Sequence, residues 1–203
     1  MADNPRIPGP REVEASLDGS DETGTVVVAC PPHPQMRGDR HDSRLQAVSE
    51  GLTADGIDCL RIDYGPWAEG EGERTDARNA LAWADERYDT VGLFGFSFGG
   101  AVALLASVPE GGRTPDAVSA LAPAARLGAD LDAAAALEAI TAPVQVVYGE
   151  RDDTADWQPV VDRARELGYP VVSLPADHFF VGQQVKAADI VCSFLRAELL
   201  DGD

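Results

Sequence analysis

Two kinds of apolar segment alternate along the chain. Short runs that are apolar on both faces are separated by longer stretches whose apolar residues recur every three or four positions. Thr25 to Cys30 (TVVVAC), Thr90 to Phe94 (TVGLF) and Val144 to Tyr148 (VQVVY) are continuous runs and read as strands buried on both sides. Asp58 to Tyr64, Val118 to Ala122 and Val171 to Leu174 read as further strands. Glu12 to Leu17 (EVEASL) behaves differently. It alternates, with Val13, Ala15 and Leu17 on one face, as a half-exposed edge strand does. The turn residues Asp18-Gly19-Ser20-Asp21 follow it.

The helical spacings fall between these runs. Leu45, Val48 and Leu52 share one face, with Asp42 or Ser43 as N-cap and Asp55-Gly56 as the stop. Ala77, Ala80, Leu81 and Ala84 mark a second helix, and Ala101 to Val108 is apolar all round, as a buried helix would be. A brief alanine-rich helix is expected between Leu131 and Ile140. Trp157, Val160, Val161, Ala164 and Leu167 form the next helical face. Val181, Val185, Ala188, Cys192, Leu195 and Leu199 outline an amphipathic closing helix.

Strands alternating with helices predict an α/β fold: a doubly wound, mostly parallel sheet of six to seven strands with helices on both faces. No repeat or linker interrupts residues 1–203, so one domain is expected. Residues 1–11 hold three prolines and few apolar side chains and are expected to be loose. Between Ala122 and Val144 the chain is too short for an inserted cap of several helices.

Charge changes the picture. The chain carries 35 acidic against 16 basic residues, a net charge of −19, and Lys186 is its single lysine. Such a surface resembles that of proteins from salt-loving organisms, where a Debye length of about 3 Å at 1 M salt screens the self-repulsion. Nucleic acid and anionic membranes would be repelled. Cys30, Cys59 and Cys192 show no metal-ligand spacing and read as reduced packing residues of a cytoplasmic protein, with Cys30 and Cys59 on adjacent strands. Neither a secretory signal nor an apolar run of about 18 residues is present, so no membrane span is expected. No metal and no cofactor is expected.

The candidate chemistry centres on Phe94-Gly95-Phe96-Ser97-Phe98-Gly99-Gly100, set between a buried strand and a buried helix. A serine standing clear of a sheet edge needs a sharp strand-to-helix turn. Glycines two residues before and after it remove Cβ atoms that would collide. A serine hydroxyl needs a base, and the base needs a carboxylate to orient it. Both belong at strand carboxyl ends. One such end reads Gly149-Glu150-Arg151-Asp152-Asp153 and the last reads Pro175-Ala176-Asp177-His178. His178 follows the serine in the order this turn accompanies, whereas His33 and His41 precede it. His33 is assigned a structural role in its loop and His41 to the surface. Asp152, Asp153 and Asp156 all remain open as the acid, and Asp177 adjoins the histidine too closely to align.

With GFSFGG, GERD and ADHFF in place, the chain resembles the α/β-hydrolase superfamily from about Thr25 to Leu200. The loops CPPHPQMRGD and DYGPWAEGEGE are similar to those of small, lid-less members of its dienelactone-hydrolase-like branch, which read His-Pro-His-Pro before a Gly-rich turn. Here Pro31 replaces the first histidine. Dienelactone hydrolases proper use a cysteine nucleophile where this chain has Ser97. The resemblance implies Ser97 as nucleophile, His178 as base and, through its Gly-x-x-Asp spacing, Asp152 as acid. It implies an oxyanion hole made by the backbone N–H of Phe98 and a second donor from the loop after TVVVAC. Proline lacks the N–H, which leaves His33, Gln35 and Met36 there, and the family pattern selects Gln35. Tyr64, Trp67, Met36, Phe179 and Phe180 could line an acyl pocket or serve as plain packing. Glu69, Glu71 and Glu73 are expected to form a solvated acidic loop rather than a cation site. The expected activity is a serine hydrolase acting on a small or accessible ester or thioester. The alternatives are a peptidase or amidase with the same three residues, a perhydrolase-like halogenation, and a catalytically silent binding protein.

Overall fold

The computed structural model describes residues 4–20 and 23–200. Its strands are β1 (Arg6–Ile7), β2 (Val13–Asp18), β3 (Thr25–Cys30), β4 (Asp58–Ile62), β5 (Thr90–Phe96), β6 (Ala117–Leu121), β7 (Val144–Gly149) and β8 (Val171–Leu174). They form one eight-stranded sheet in the order β1-β2-β4-β3-β5-β6-β7-β8. From β4 to β8 every pairing is parallel, while β1 and β2 run antiparallel at one side. The helices are α1 (Ser43–Ala54), α2 (Glu71–Asp85), α3 (Phe98–Ala106), α4 (Ala133–Ala136), α5 (Gln158–Glu166) and α6 (Gln184–Leu200), with a 3₁₀ turn at Pro34–Met36.

The β-branched run of β3 shows why the sheet is sandwiched. All six of its residues are buried. Successive side chains point to opposite faces, so Val26, Val28 and Cys30 join the core under α2, α3, α4 and α5, and Val27 and Ala29 join the core under α1 and α6. From β3 the chain first moves outward to β4 and then returns across to β5. That reversal opens a crevice at the carboxyl ends of β3 and β5, where doubly wound sheets place their sites. Between β6 and β7 the only helix among the described residues is α4, and no cap domain is present.

Three expectations are corrected. The sheet has eight strands, not six to seven. The added strand lies inside the stretch expected to be loose: Arg6 and Ile7 pair with Glu14 and Val13, Ile7 is buried, and Arg11 is ion-paired to Asp76 at 2.8 Å. β2 is therefore not the outermost strand. Ile7 stands alone among prolines and produces no period. Its burial depends on Val13 to Leu17 offering an apolar face, which no local pattern reveals. Residues 1–3 of that stretch, and Asp21 of the expected turn, lie outside the described residues.

Second, the acidic loop is not all solvated. Helix α2 begins at Glu71, and Glu73 is fully buried, accepting the N–H groups of Gly70 (2.8 Å) and Ala68 (2.9 Å). Two orphan donors at a helix start outweigh the hydration of one carboxylate. Third, Val181 and Val185 are 72% and 73% exposed, because α6 starts at Gln184 and turns Ala187, Ala188 and Val191 inward instead. β3 and β4, which carry Cys30 and Cys59, are adjacent as expected, and the register sets Val27 opposite Cys59. All three cysteines are free and buried, and burial pushes their thiols up to about 12.

Candidate active site

β5 delivers Ser97 to the crevice. The serine has φ 57° and ψ −118°, a left-handed conformation that costs a non-glycine residue about 1–3 kcal/mol. The turn is held from two sides: the Ser97 N–H donates to the Leu121 carbonyl at the end of β6 (2.8 Å), and the Ser97 carbonyl accepts the Ala101 N–H (3.2 Å). The glycines give the room the motif promised. A Cβ on Gly95 would lie 2.0 Å from the Gly99 carbonyl oxygen, and one on Gly99 would lie 2.2 Å from that of Cys30 and 2.4 Å from that of Pro31. These are backbone atoms of α3, of β3 and of the loop that follows β3, and they cannot yield. Gly99→Ala is therefore expected to cost about 3 kcal/mol or more, read as a lowered urea midpoint.

The loops after β7 and β8 are stitched together. Glu150 N–H donates to the Leu174 carbonyl (2.9 Å) and Arg151 N–H to that of Ala176 (3.0 Å). This sets Asp152 beside His178, with Asp152 Oδ2 at 2.7 Å from His178 Nδ1. The other carboxylate oxygen accepts the N–H groups of Thr154 (2.9 Å) and Ala155 (3.0 Å), and the Trp157 indole N–H donates to the Asp152 carbonyl (3.0 Å). Trp157 is itself stacked on Tyr148. Burial opposes ionisation of Asp152, but the hydrogen bond to His178 and the two backbone N–H groups outweigh it and hold the carboxyl below its usual range.

An ionised carboxylate can only accept, so Nδ1 carries the imidazole hydrogen. Nε2 is left with its lone pair, and it stands 3.0 Å from Ser97 Oγ. The His178 ring is 4% exposed and is flanked by Phe96 and by Phe179, which meets it edge-on. Of the carboxylates the sequence left open, Asp153 and Asp156 are exposed, and Asp177 turns to accept the Val181 N–H (3.1 Å).

The loop after β3 packs against this turn. Phe98 N–H is the first of α3 and has no carbonyl four residues back to bond. Gln35 lies in the 3₁₀ turn, and its N–H donates to His33 Nδ1 at 3.2 Å; Met36 N–H donates to the His33 carbonyl at 2.9 Å. The His33 ring stacks on Trp67 (4.7 Å) and leans on Phe98 (4.8 Å), and the Tyr64 hydroxyl donates to the Pro31 carbonyl (3.1 Å). Tyr64 and Trp67 thus brace the loop. Phe180 is core, while Met36 and Phe179 are exposed. An open cleft of about 500 Å³ runs between residues 67–71 and 127–131, with Trp67, Leu127 and Leu131 in its wall.

Neither the stacking of His33 on Trp67 nor the bond from the Trp157 indole to the Asp152 carbonyl is written in a local pattern: the helical spacing marks Trp157 only as part of an apolar face. Among the described residues no helix is long and apolar enough to cross a membrane.

No family model matches the chain, and no curated protein matches it. Solved structures do. An alpha-beta serine hydrolase homologue from Coxiella burnetii is 22% identical, with a TM-score of 0.80 over 95% of this chain and 97% of that one. A serine hydrolase without a lid from Xanthomonas campestris is 22% identical, with a TM-score of 0.81 over 98% and 95%. A dienelactone hydrolase from Anabaena variabilis is 20% identical, with a TM-score of 0.80 over 98% of each chain. The chain has the α/β-hydrolase fold of these serine hydrolases. At such identities the likeness establishes the fold, and the reaction has to be argued from the site.

Proposed function

We propose that this protein is a serine hydrolase that cleaves small or accessible esters or thioesters through an acyl-enzyme. Ser97 Oγ attacks the acyl carbon while His178 Nε2 takes its proton, and Asp152 orients the imidazole and balances its charge. The carbonyl oxygen becomes an oxyanion facing the N–H groups of Phe98 and Gln35. Collapse expels the alcohol or thiol, which takes the proton from His178. Water then attacks the acyl group with His178 again as base, releasing the acid and restoring Ser97. The observation that carries this reading is the unbroken relay from Ser97 Oγ to His178 Nε2 (3.0 Å) and from His178 Nδ1 to Asp152 (2.7 Å). The absence of a cap among the described residues favours an accessible substrate over a buried lipid chain.

Fluorophosphonate labelling, with p-nitrophenyl acetate and an aminoacyl-nitroanilide compared side by side, tests the reading. The expected result is an adduct on Ser97 and turnover of the ester alone. No adduct would favour a silent binding protein, and preferential turnover of the anilide would favour an amidase.

The acidic, lysine-poor surface supports operation in concentrated salt. The melting temperature and the ester turnover are both expected to rise as KCl is raised from 0.1 M to about 2 M, because screening removes self-repulsion. A melting temperature that falls with added KCl would contradict this.

A further inference from the structure

We infer that His33 is a positioning residue for the oxyanion contact, its neutral imidazole holding the two N–H carriers, Gln35 and Phe98, together, so that protonating His33 disables the contact. The inference rests on the hydrolase reading above. One ring touches both carriers. Its Nδ1 accepts the Gln35 N–H at 3.2 Å, and its face lies 4.8 Å from the ring of Phe98. Trp67 stacks on the imidazole at 4.7 Å and fixes its orientation. His33 is also the N-cap of the 3₁₀ turn, a place where a side-chain acceptor decides whether the turn stays closed. Three prolines, Pro31, Pro32 and Pro34, leave this loop few N–H groups with which to hold itself. At 3.2 Å the bond is at the long end of the usual range. A charged oxygen arriving above Ser97 can share the same N–H or take it over, and until then the bond keeps the turn closed.

Protonation converts Nδ1 from acceptor to donor and sets it against the Gln35 N–H, so the turn loses its cap. Among the described residues, the charged group facing the ring is Glu73 at the start of α2, with Arg11 (3.7 Å from Glu73) and Asp76 behind it; Trp67 and Phe98 are uncharged, and the Tyr64 phenol is engaged by Pro31. Burial of the ring resists protonation more than Glu73 assists it, so His33 titrates below the ordinary imidazole value and is neutral at pH 7.

The test compares wild type, His33→Ala and His33→Asn on p-nitrophenyl acetate between pH 4 and pH 8. Asparagine carries Oδ1 on the same Cγ that bears Nδ1 in histidine, so it restores the acceptor but does not titrate. At pH 8, His33→Ala is expected to lower kcat by about tenfold with little change in KM, a fraction of the loss on removing an oxyanion donor outright. His33→Asn is expected to recover most of that loss. The ratio of the wild-type rate to the His33→Asn rate cancels whatever His178 contributes to the pH profile. That ratio should fall about tenfold on acidification, with the same midpoint as the chemical shift of the Gln35 amide. A His33→Ala variant that equals or exceeds wild type, or a rate ratio that does not change with pH, overturns the inference and leaves the hydrolase reading standing. A wild-type protein that neither turns over the ester nor labels at Ser97 overturns both.

Discussion

Replacing Ser97 with alanine is expected to lower kcat for p-nitrophenyl acetate by about 10⁴- to 10⁶-fold, with the fold unchanged. The magnitude follows from the relay. Without Oγ there is no acyl-enzyme, and His178 and Asp152 have no proton to move, so the loss is that of the whole unit. The turn itself does not depend on the hydroxyl, because the Leu121 carbonyl and the Ala101 N–H bond the backbone of residue 97. Alanine has the same strain at φ 57° that serine has. Ser97→Gly removes it, and is expected to be equally inactive yet about 1–3 kcal/mol more stable. The paired measurement is kcat with urea unfolding. Activity above about a hundredth of wild type in either variant would exclude Ser97 as the nucleophile.

Asp152→Asn is expected to lower kcat by about 10⁴-fold. The asparagine oxygen can still accept the Thr154 and Ala155 N–H groups, which places its amide nitrogen against His178 Nδ1. A donor there favours the tautomer with hydrogen on Nε2, and the lone pair facing Ser97 is lost. Stability carries a second signature. Asp152 is held below its usual range in the folded state, so the unfolded chain binds its proton first as pH falls. The carboxylate's contribution is therefore complete above the unfolded value of about 3.9 and is lost as pH drops through the lower folded value. The wild type should lose stability more steeply than Asp152→Asn below about pH 4. Urea midpoints at pH 7 and pH 3.5 check this, and parallel losses would show that folding does not lower the Asp152 carboxyl.

How much of this was legible in the chain depends on how local each cause is. β3, β5 and β7 were legible because β-branched runs buried on both faces need no partner to be recognised. The turn at Ser97 was legible because its glycines answer a clash that the motif itself creates. Residue type does not separate Asp152 from Asp153 and Asp156, since all three are aspartates just past one strand, and only the Gly-x-x-Asp spacing of the resemblance selected it. The difference is the pairing of Glu150 and Arg151 with the last loop, which brings only Asp152 to His178. Glu73 looked like one of three solvated acids because its burial is caused by Arg11, 62 positions away in the chain, and by the start of α2. Val181 and Val185 fit the helical period of α6 but lie outward, because the helix begins only at Gln184 and its inward face is set by packing on α1.

The alternation of strands and helices, the Ser97 turn and the order of serine, aspartates and histidine along the chain are local, because they follow from side-chain shape and backbone freedom within a few residues. Only the packed fold brings Asp152 against His178, adds Arg6–Ile7 to the sheet as an eighth strand, and sets His33 between Trp67 and Phe98 with its Nδ1 on the Gln35 N–H. Each of these is a contact between segments far apart in the chain, and its energy exists only once the sheet has brought them together.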